Sequence, residues 1–500
     1  MLKAFLLLCA LVLPPNLRAA EPGEFSFHHE GVLGTSLDLK IVAADAQQAA
    51  AVEAAVLAEI ERMRKILSTY DPASEISRLN AATGTVPASQ ELIEVLAGYD
   101  WWNAKSGGAY NGHLGDLIGV WRAAEKAGTL PDATVLQRTV ATLRVPAWKL
   151  DAAAKTVTRT TAQPLNVDSL GKGYIISKAA AVAAAKAPQG FLLNIGGDIF
   201  AGGRVWKIGV ADPKSSADNS PPLTEVNLRN LAISTSAAYE RGYTIGGRRY
   251  SHIFDPRTGM PAAGTASATV VASSNAVANA LATTLCVLKP DEGLAFAKTI
   301  PGVACLIVAA DGRQLRTANF APLEDRPPAA AVLPGTTPAT PAATGGAWPK
   351  GFQVTLSLTL KTPTAGGGGK RVKRPYVAVW IEDAEGKRVR TVAVWGNARK
   401  YLPDLREWWK IASADPAWAS TITRATRSAG SHRVAWDGMD DKGAPLPPGT
   451  YTVVLEVNRE HGTYCIERGT IACAKAAAQG KIAASAEFSE GLITFGPPVQ

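Results

Sequence analysis

The sequence predicts two folded units, an α/β (or α+β) unit followed by an all-β, sandwich-like one, and three observations carry that prediction. Five hundred residues are too many for one hydrophobic core, which usually stops growing near ~250 to 300 residues. Residues 322–349, PLEDRPPAAAVLPGTTPATPAATGGAWP, combine Pro, Ala, Thr and Gly with few apolar anchors, the composition of an extended linker. The apolar period also changes across that linker. Before it, helix-period stretches at 50–67, 92–104, 175–185 and 277–288 alternate with short strand-like runs such as FLLNI, WKIGVA, ATVVAS and CLIVAA. After it, FQVTLSLTL, YVAVWIED, RTVAVW and TYTVVLEVNRE read as strands, with DLREWWKIA the one helical stretch. The units are therefore bounded as 24–321 and 350–500.

The opening MLKAFLLLCALVLPPNLRAAEP reads as a secretory signal over residues 1–20: Lys3, an apolar run over 4–13, and the small residues Ala19 and Ala20 at a cleavage site. Cys9 lacks the small residues before it that lipidation requires, so the expected product is periplasmic or exported, with no transmembrane span in the mature chain. Export permits disulfides. Cys286 and Cys305 lie in apolar runs and read as core thiols, whereas Cys465 and Cys473 are close enough in a β-rich region to bridge a hairpin. No CxxC or His/Cys cluster points to zinc. Of the formal charge of +9, most lies late in the chain, with 20 Lys/Arg against 14 Asp/Glu from Gly351 onward. The basic run KRVKR at 370–374 reads as a solvated loop, and export excludes nucleic acid as a partner.

Three turns of the first unit carry the chemistry: NVDSLGKGY (166–174), LLNIGGDI (192–199) and SHIFDPRTGMP (251–261). Glycine lets backbone amides approach phosphate oxygens closely, and Lys172, between two glycines, adds a cation. A phosphate-bearing ligand is the expectation. Taken alone, the same residues have plainer readings: Tyr70 and Ile253 as core, Asp198 as a turn cap, His252 as a strand end, Asp255 and Gly259 as turn formers. Ser234, Thr235 and Ser236 offer hydroxyls, but nothing beside them has the spacing of a Ser/His/Asp triad.

The ordered series GTSLDLK, LSTYDPASEISRLN, SGGAYNGHLGDLIGVW, LNVDSLGKGYIISKA, LLNIGGDI, WKIGVADP, ISTSAAYER, YSHIFDPRTGMP and ANALATTL resembles the ApbE-type FAD:protein FMN transferases over about 31–317. The resemblance implies an enzyme that uses FAD and Mg2+, breaks the pyrophosphate, and joins FMN through its phosphate to a Thr or Ser hydroxyl of an acceptor protein, a membrane-associated redox subunit. It implies FAD contacts at Leu33, Tyr70, Ala109, Tyr110, Asn111, Asn166, Lys172 and Ile253, and metal contacts at Ser169 (through its carbonyl), Asn279 and Thr283. The spacing of the last two places their side chains on one helix face. His252 becomes the proton acceptor, and Asp198 a second polar group facing the nucleotide. Where the family commonly has Asp, this chain has Asn111, Asn166 and Asn279, which implies weaker binding of a hard cation. Two other outcomes stay open at this point: a FAD-binding protein without turnover, and hydrolysis of FAD to FMN and AMP. The segment GTASAT (264–269) has the look of a flavinylated target sequence but reads as a strand start.

The C-terminal unit resembles an uncharacterised β-domain family that occurs alone or fused to such transferases, on RPYVAVWIED, YLPDLREWW and SHRVAWDGMDDKGAPLPPGTYTVVLEVNRE. WDGMDDKG lacks the full ligand spacing of a calcium loop and reads as a hairpin turn. Trp380, Trp395, Trp408, Trp409 and Trp436 suit a sandwich core or a docking face.

Overall fold

The structure is a computed structural model that describes residues 22–497 except 188, 214–221, 239–241, 326–347, 350, 363–373, 397–398, 416–418, 420–421, 425, 428 and 460–462. The signal segment, most of the linker and most of the KRVKR run lie outside the described residues.

The first unit is built on an eight-stranded sheet: β1 (Gly23–Val32), β2 (Thr35–Ala43), β3 (Phe191–Ile195), β4 (Asp198–Gly202), β5 (Leu231–Ala237), β6 (Thr265–Ala272), β7 (Ala304–Ala309) and β8 (Gln314–Arg316). The strands lie in the sheet in chain order, and every neighbouring pair is antiparallel. The sheet is therefore of α+β type, with helices inserted between hairpins rather than crossing over parallel strands.

One face of the sheet is covered by α1 (Ala46–Leu67), α3 (Asp168–Lys186) and α4 (Asn275–Val287), with α2 (Gln90–Lys105) beside α3. Helix α1 starts where the Asp45 carboxylate accepts from Gln48 N at 2.7 Å, and it buries Ala49, Val52, Val56, Ile60, Met63 and Leu67, a helix-period stripe. These residues share one core with Leu37, Leu39, Phe191, Leu193, Val270 and Ile307. The opposite face packs on a ribbon of Trp206–Val210 and Thr224–Leu228, where Trp206, Ile208, Val226 and Phe320 meet Ile233, Val271 and Leu306.

Two tight turns lie at one end of this sheet. Leu33 (φ 49°) and Gly34 (φ 79°) join β1 to β2, while Gly196 (φ 55°) and Gly197 (φ 87°) join β3 to β4. Positive φ at both central residues matches the twist of a two-residue hairpin. The turns touch, since Gly196 N donates to Ser36 O at 3.1 Å and a Cβ on Gly196 would lie 2.5 Å from Thr35 Cγ2. Segment GTASAT runs into β6 with Thr265, Ser267 and Thr269 buried, as a strand start should be.

The C-terminal unit is a sandwich of a five-stranded sheet (Thr423–Arg424, Arg388–Trp395, Tyr376–Glu382, Gly449–Asn458, Tyr464–Cys473) and a four-stranded one (Gly430–Trp436, Gln353–Leu360, Gly491–Gly496, Ala478–Ile482). Trp395 and Trp436 lie between the sheets with Val379, Leu455 and Phe495. Trp380 and Trp408 fill a second core under the helix Arg406–Ala412, and Trp409 packs against it, so these indoles belong to the interior rather than to a docking face. Glu456, with no exposed surface, accepts from Glu407 N and Trp408 N, both at 2.9 Å, and so satisfies two donors that the helix start leaves unpaired. WDGMDDKG is a turn, closed by Asp440 Oδ1 accepting from Lys442 N and Ala444 N at 2.8 Å.

Two expectations need correction. Cys465 and Cys473 stand on the same strand, about 26 Å apart at the usual rise per residue, and both are free thiols, so no hairpin bridge joins them. The unit edges also shift. Pro322 and Leu323 form a helical turn, Glu324 pairs with Arg316, and Asp325 pairs with Lys207, which extends the first unit beyond 321. Trp348 stacks edge-on against Trp436 at 5.0 Å, which starts the second unit before 350.

Candidate active site

At the end of the sheet where the two turns meet, three residues predicted to face the ligand are bonded to one another. Lys172, in the second turn of α3, places Nζ 2.6 Å from Asp198 Oδ2 and donates to Gly196 O at 3.4 Å. Asp198, the first residue of β4, is 5% exposed. Asn279 on α4 gives its amide nitrogen to both Asp198 oxygens, at 3.3 and 3.2 Å. That leaves the Asn279 carbonyl oxygen Oδ1 buried with no hydrogen-bond partner. One turn on, Thr283 Oγ1 lies 3.3 Å from Ser236 Oγ of β5, and Ser234 Oγ on the same strand is likewise buried without a partner. Helices α3 and α4 come this close because residue 173 is glycine: a Cβ there would lie 2.5 Å from Asn275 O.

A second group surrounds the first turn of α3. Ser169 Oγ lies 2.7 Å from Tyr110 OH and 3.1 Å from Tyr99 OH, the two rings stack at 5.3 Å, and Leu170 N donates to Tyr99 OH. This leaves the Ser169 side chain bonded to tyrosines. Asn166 Oδ1 accepts from Asp168 N at 3.1 Å. The Asp168 carboxylate accepts from Thr69 Oγ1 at 3.0 Å and Tyr70 OH at 3.4 Å, and burial pushes its carboxyl above the ordinary carboxylate range against the pull of those bonds. The Tyr70 ring is 84% exposed, so the plain core reading of this residue is wrong.

Other predicted residues have their side chains turned inward. Ala109 and Tyr110 are 2% exposed, and Asn111 donates through Nδ2 to Leu143 O (3.1 Å) and accepts at Oδ1 from His113 N (2.9 Å), so both ends of its amide are engaged within the protein. Leu33 packs partly against the helix-side core, as does Ile253, 7% exposed. His252 is half-buried just after the strand Arg248–Ser251, and Asp255 in the following turn binds Arg257 at 2.8 Å. Asp116 is exposed in the first turn of Gly115–Ala127, where its charge acts on His113.

No sequence motif announces Tyr99, which shows in sequence only as one more apolar position on the buried face of α2, and Thr69, inside LSTYDPASEISRLN, is not singled out there. Among the described residues no three His, Cys, Asp or Glu side chains cluster as a metal site. The donor set nevertheless suits a hard cation, because Asn279 Oδ1 is an orphaned acceptor one helical turn from a threonine hydroxyl and beside the Asp198 carboxylate. Two surface hollows, of about 290 Å3 beside Trp101 and about 490 Å3 beside Arg62 and Arg78, contain none of the predicted residues.

A family model described as predicted periplasmic protein (DUF2271) matches residues 355–490, so a domain of that family forms the second unit. FAD:protein FMN transferase of Treponema pallidum (strain Nichols) is 29% identical over 316 residues, covering 58% of this chain and 86% of that protein. The enzyme of the same name from Escherichia coli (strain K12) is 24% identical, covering 57% of this chain and 84% of that protein. The apo flavinyl transferase ApbE of Pseudomonas stutzeri superposes with a TM-score of 0.52 at 26% identity, over 60% of this chain and 97% of that one. The ApbE protein of Thermotoga maritima shares the fold, with a TM-score of 0.55 at 24% identity. With the ApbE family model matching residues 33–307, more than half of its length, the chain belongs to the ApbE family.

Proposed function

We propose that the protein transfers the FMN part of FAD to a Ser or Thr hydroxyl of an acceptor protein, with Mg2+ bound at Asn279, Thr283 and the Ser169 carbonyl. The observation that carries this reading is the Lys172–Asp198–Asn279 cluster under two glycine turns, in a chain whose curated relatives bear the name FAD:protein FMN transferase. Mg2+, when bound, neutralises charge that builds on the pyrophosphate oxygens. The chain's own residues do the rest. Lys172 binds phosphate oxygens, Tyr70 offers an exposed ring for a flat ligand group to stack on, and Leu33 walls the site from the neighbouring turn, whereas the Gly196 and Gly197 amides are spent on Ser36 O and Asn194 Oδ1. His252 takes the proton of the acceptor hydroxyl as its oxygen attacks the FMN-side phosphorus. The P–O bond to AMP breaks, AMP leaves, and a phosphoester joins FMN to the acceptor.

We further place this reaction after export: residues 1–20 act as the signal, the DUF2271 unit belongs with a periplasmic setting, and the acceptor is a membrane-associated redox subunit. No helix among the described residues is long and apolar enough to cross a membrane. The test is incubation of the mature protein with FAD, Mg2+ and an acceptor peptide carrying Ser-Gly-Ala-Thr, read by in-gel flavin fluorescence and AMP release. A fluorescent acceptor with equimolar AMP is expected. Bound flavin with neither product contradicts transfer, and AMP without label assigns hydrolysis instead.

A further inference from the structure

Asp198 and Lys172 are each claimed twice. Asp198 is buried, so its charge needs a partner, and Lys172 supplies it at 2.6 Å. Lys172 is also the one cation of the 166–174 turn, and a phosphate ligand there needs it. The same carboxylate sits against Asn279, whose Oδ1 is buried and unpartnered and whose side chain shares a helix face with Thr283. A hard cation seated on these neutral protein oxygens gains a charged protein ligand only if Asp198 turns to it.

We propose that Lys172 and Asp198 form an exchangeable ion pair that holds the empty site, and that on loading the pair opens: Lys172 moves to a phosphate oxygen and Asp198 becomes the anionic ligand of the divalent cation, supplying the charge that an amide at position 279 does not. This rests on the functional reading above. The exchange is electroneutral. Before it, one ammonium faces one carboxylate; after it, a divalent cation and a doubly charged pyrophosphate have joined them. Neither newcomer alone leaves the cluster balanced, because a cation without nucleotide meets an unmoved lysine and a nucleotide without cation meets an unmoved carboxylate. Cation and nucleotide therefore bind cooperatively, each tightening the other by roughly five- to tenfold or more.

The pair can be taken apart from either side. In Lys172→Met, Asp198 loses its competitor, and Mn2+ alone, followed by electron paramagnetic resonance of the free ion, binds roughly five- to tenfold tighter than to the wild-type protein. In Asp198→Asn, Lys172 is released, so metal-free FAD, followed by quenching of its fluorescence, binds at least as well as to wild type, while Mn2+ no longer tightens it. Circular dichroism melting checks that each variant folds; if Asp198→Asn does not, the Mn2+ titration of Lys172→Met decides alone. Unchanged or weaker Mn2+ binding by folded Lys172→Met, in a wild-type protein that binds FAD, overturns the proposal and leaves the functional reading standing. A wild-type protein that binds no FAD with any metal removes both.

Discussion

Tyr70 keeps 84% of its surface in solvent although α1 and its core lie a few residues away. A ring in that position contributes little to folding and much to a ligand that stacks on it. Tyr70→Ala should therefore leave stability within about 0.5 kcal/mol of wild type while costing on the order of 1–3 kcal/mol of FAD affinity, measured by melting and by fluorescence titration on the same sample. A loss of stability in place of affinity would return Tyr70 to the scaffold. Asn279 allows a sharper test. Asn279→Asp puts a second carboxylate where an amide nitrogen now lies 3.2 Å from Asp198, and like charges that close disfavour each other. The variant should melt lower than wild type without metal and gain more on adding Mg2+, because the new group is a charged ligand for a hard ion. Equal Mg2+ response in the two proteins would take position 279 out of the metal site.

Helices α3 and α4 set the spacing between Lys172 and Asn279, and Gly173 sets the spacing between the helices. A Cβ at 173 would meet backbone atoms of Asn275 and Ala276 at 2.5–3.0 Å, and backbone cannot rotate away as a side chain can. Gly173→Ala should cost about 1–3 kcal/mol in chemical denaturation and weaken FAD binding as well, since both claimants of Asp198 ride on the displaced helices; unchanged stability would mean the crossing has slack. The helices themselves were legible in sequence: 50–67, 175–185 and 277–288 fall within α1 and α3 and, to within one residue, α4, because each has a capped or glycine-marked start and a continuous apolar stripe. Strand β1 does not show in the sequence as a strand, since as an edge strand it is half-exposed along its whole length and its alternation is blurred. The three-stranded sheet of Thr85–Pro87, Trp148–Asp151 and Thr156–Arg159 has strands too short for any period to show. At the site, Lys172, Asp198 and Asn279 were each visible through the motif that holds them. Their mutual bonding was not, because the partners are far apart in the chain and only the packing of α3 and α4 against β4 brings them together. Tyr99 was invisible for a different reason, its hydroxyl being one polar atom on an otherwise apolar helix face.

Across the whole molecule, the two units have separate cores and meet through polar contacts at the β1–β2 hairpin. Glu30 accepts from Thr426 Oγ1 at 2.9 Å, and Arg374 donates to Gly34 O at 3.4 Å, beside Leu33. Behind Glu30, His28 lies between Asp38 (2.7 Å) and Glu30 (3.0 Å). Burial alone would lower the His28 pKa, but hydrogen bonds to the two carboxylates outweigh it and raise it from 6.5 to about 9. Burial would raise Glu30, and its bonds to His28 and Thr426 hold it below the ordinary carboxylate range instead. A histidine raised in the folded state stabilises fully below its unfolded value and loses that contribution as pH climbs to the folded value. Glu30 acts in the other direction, contributing above its unfolded value and losing it as pH falls. Stability of the first unit should therefore be greatest between the two ordinary values and decline from about pH 6.5 to 9, and His28→Gln should flatten that decline; denaturant midpoints across this range would show it, and a decline of equal slope in the variant would contradict it. The contact also ties the second unit to the turn that carries Leu33.

For transfer as proposed, the pyrophosphate of FAD and the metal must meet at the end of the sheet where α3, α4 and the two turns converge. Crystals grown with FAD and Mn2+, measured at a wavelength where manganese scatters anomalously, test this most directly. The predicted result is one anomalous peak at Asn279, Thr283 and Asp198, with the phosphates against Lys172 and the Gly196–Gly197 turn. Nucleotide density elsewhere on the protein, or a metal peak away from α4, would contradict it.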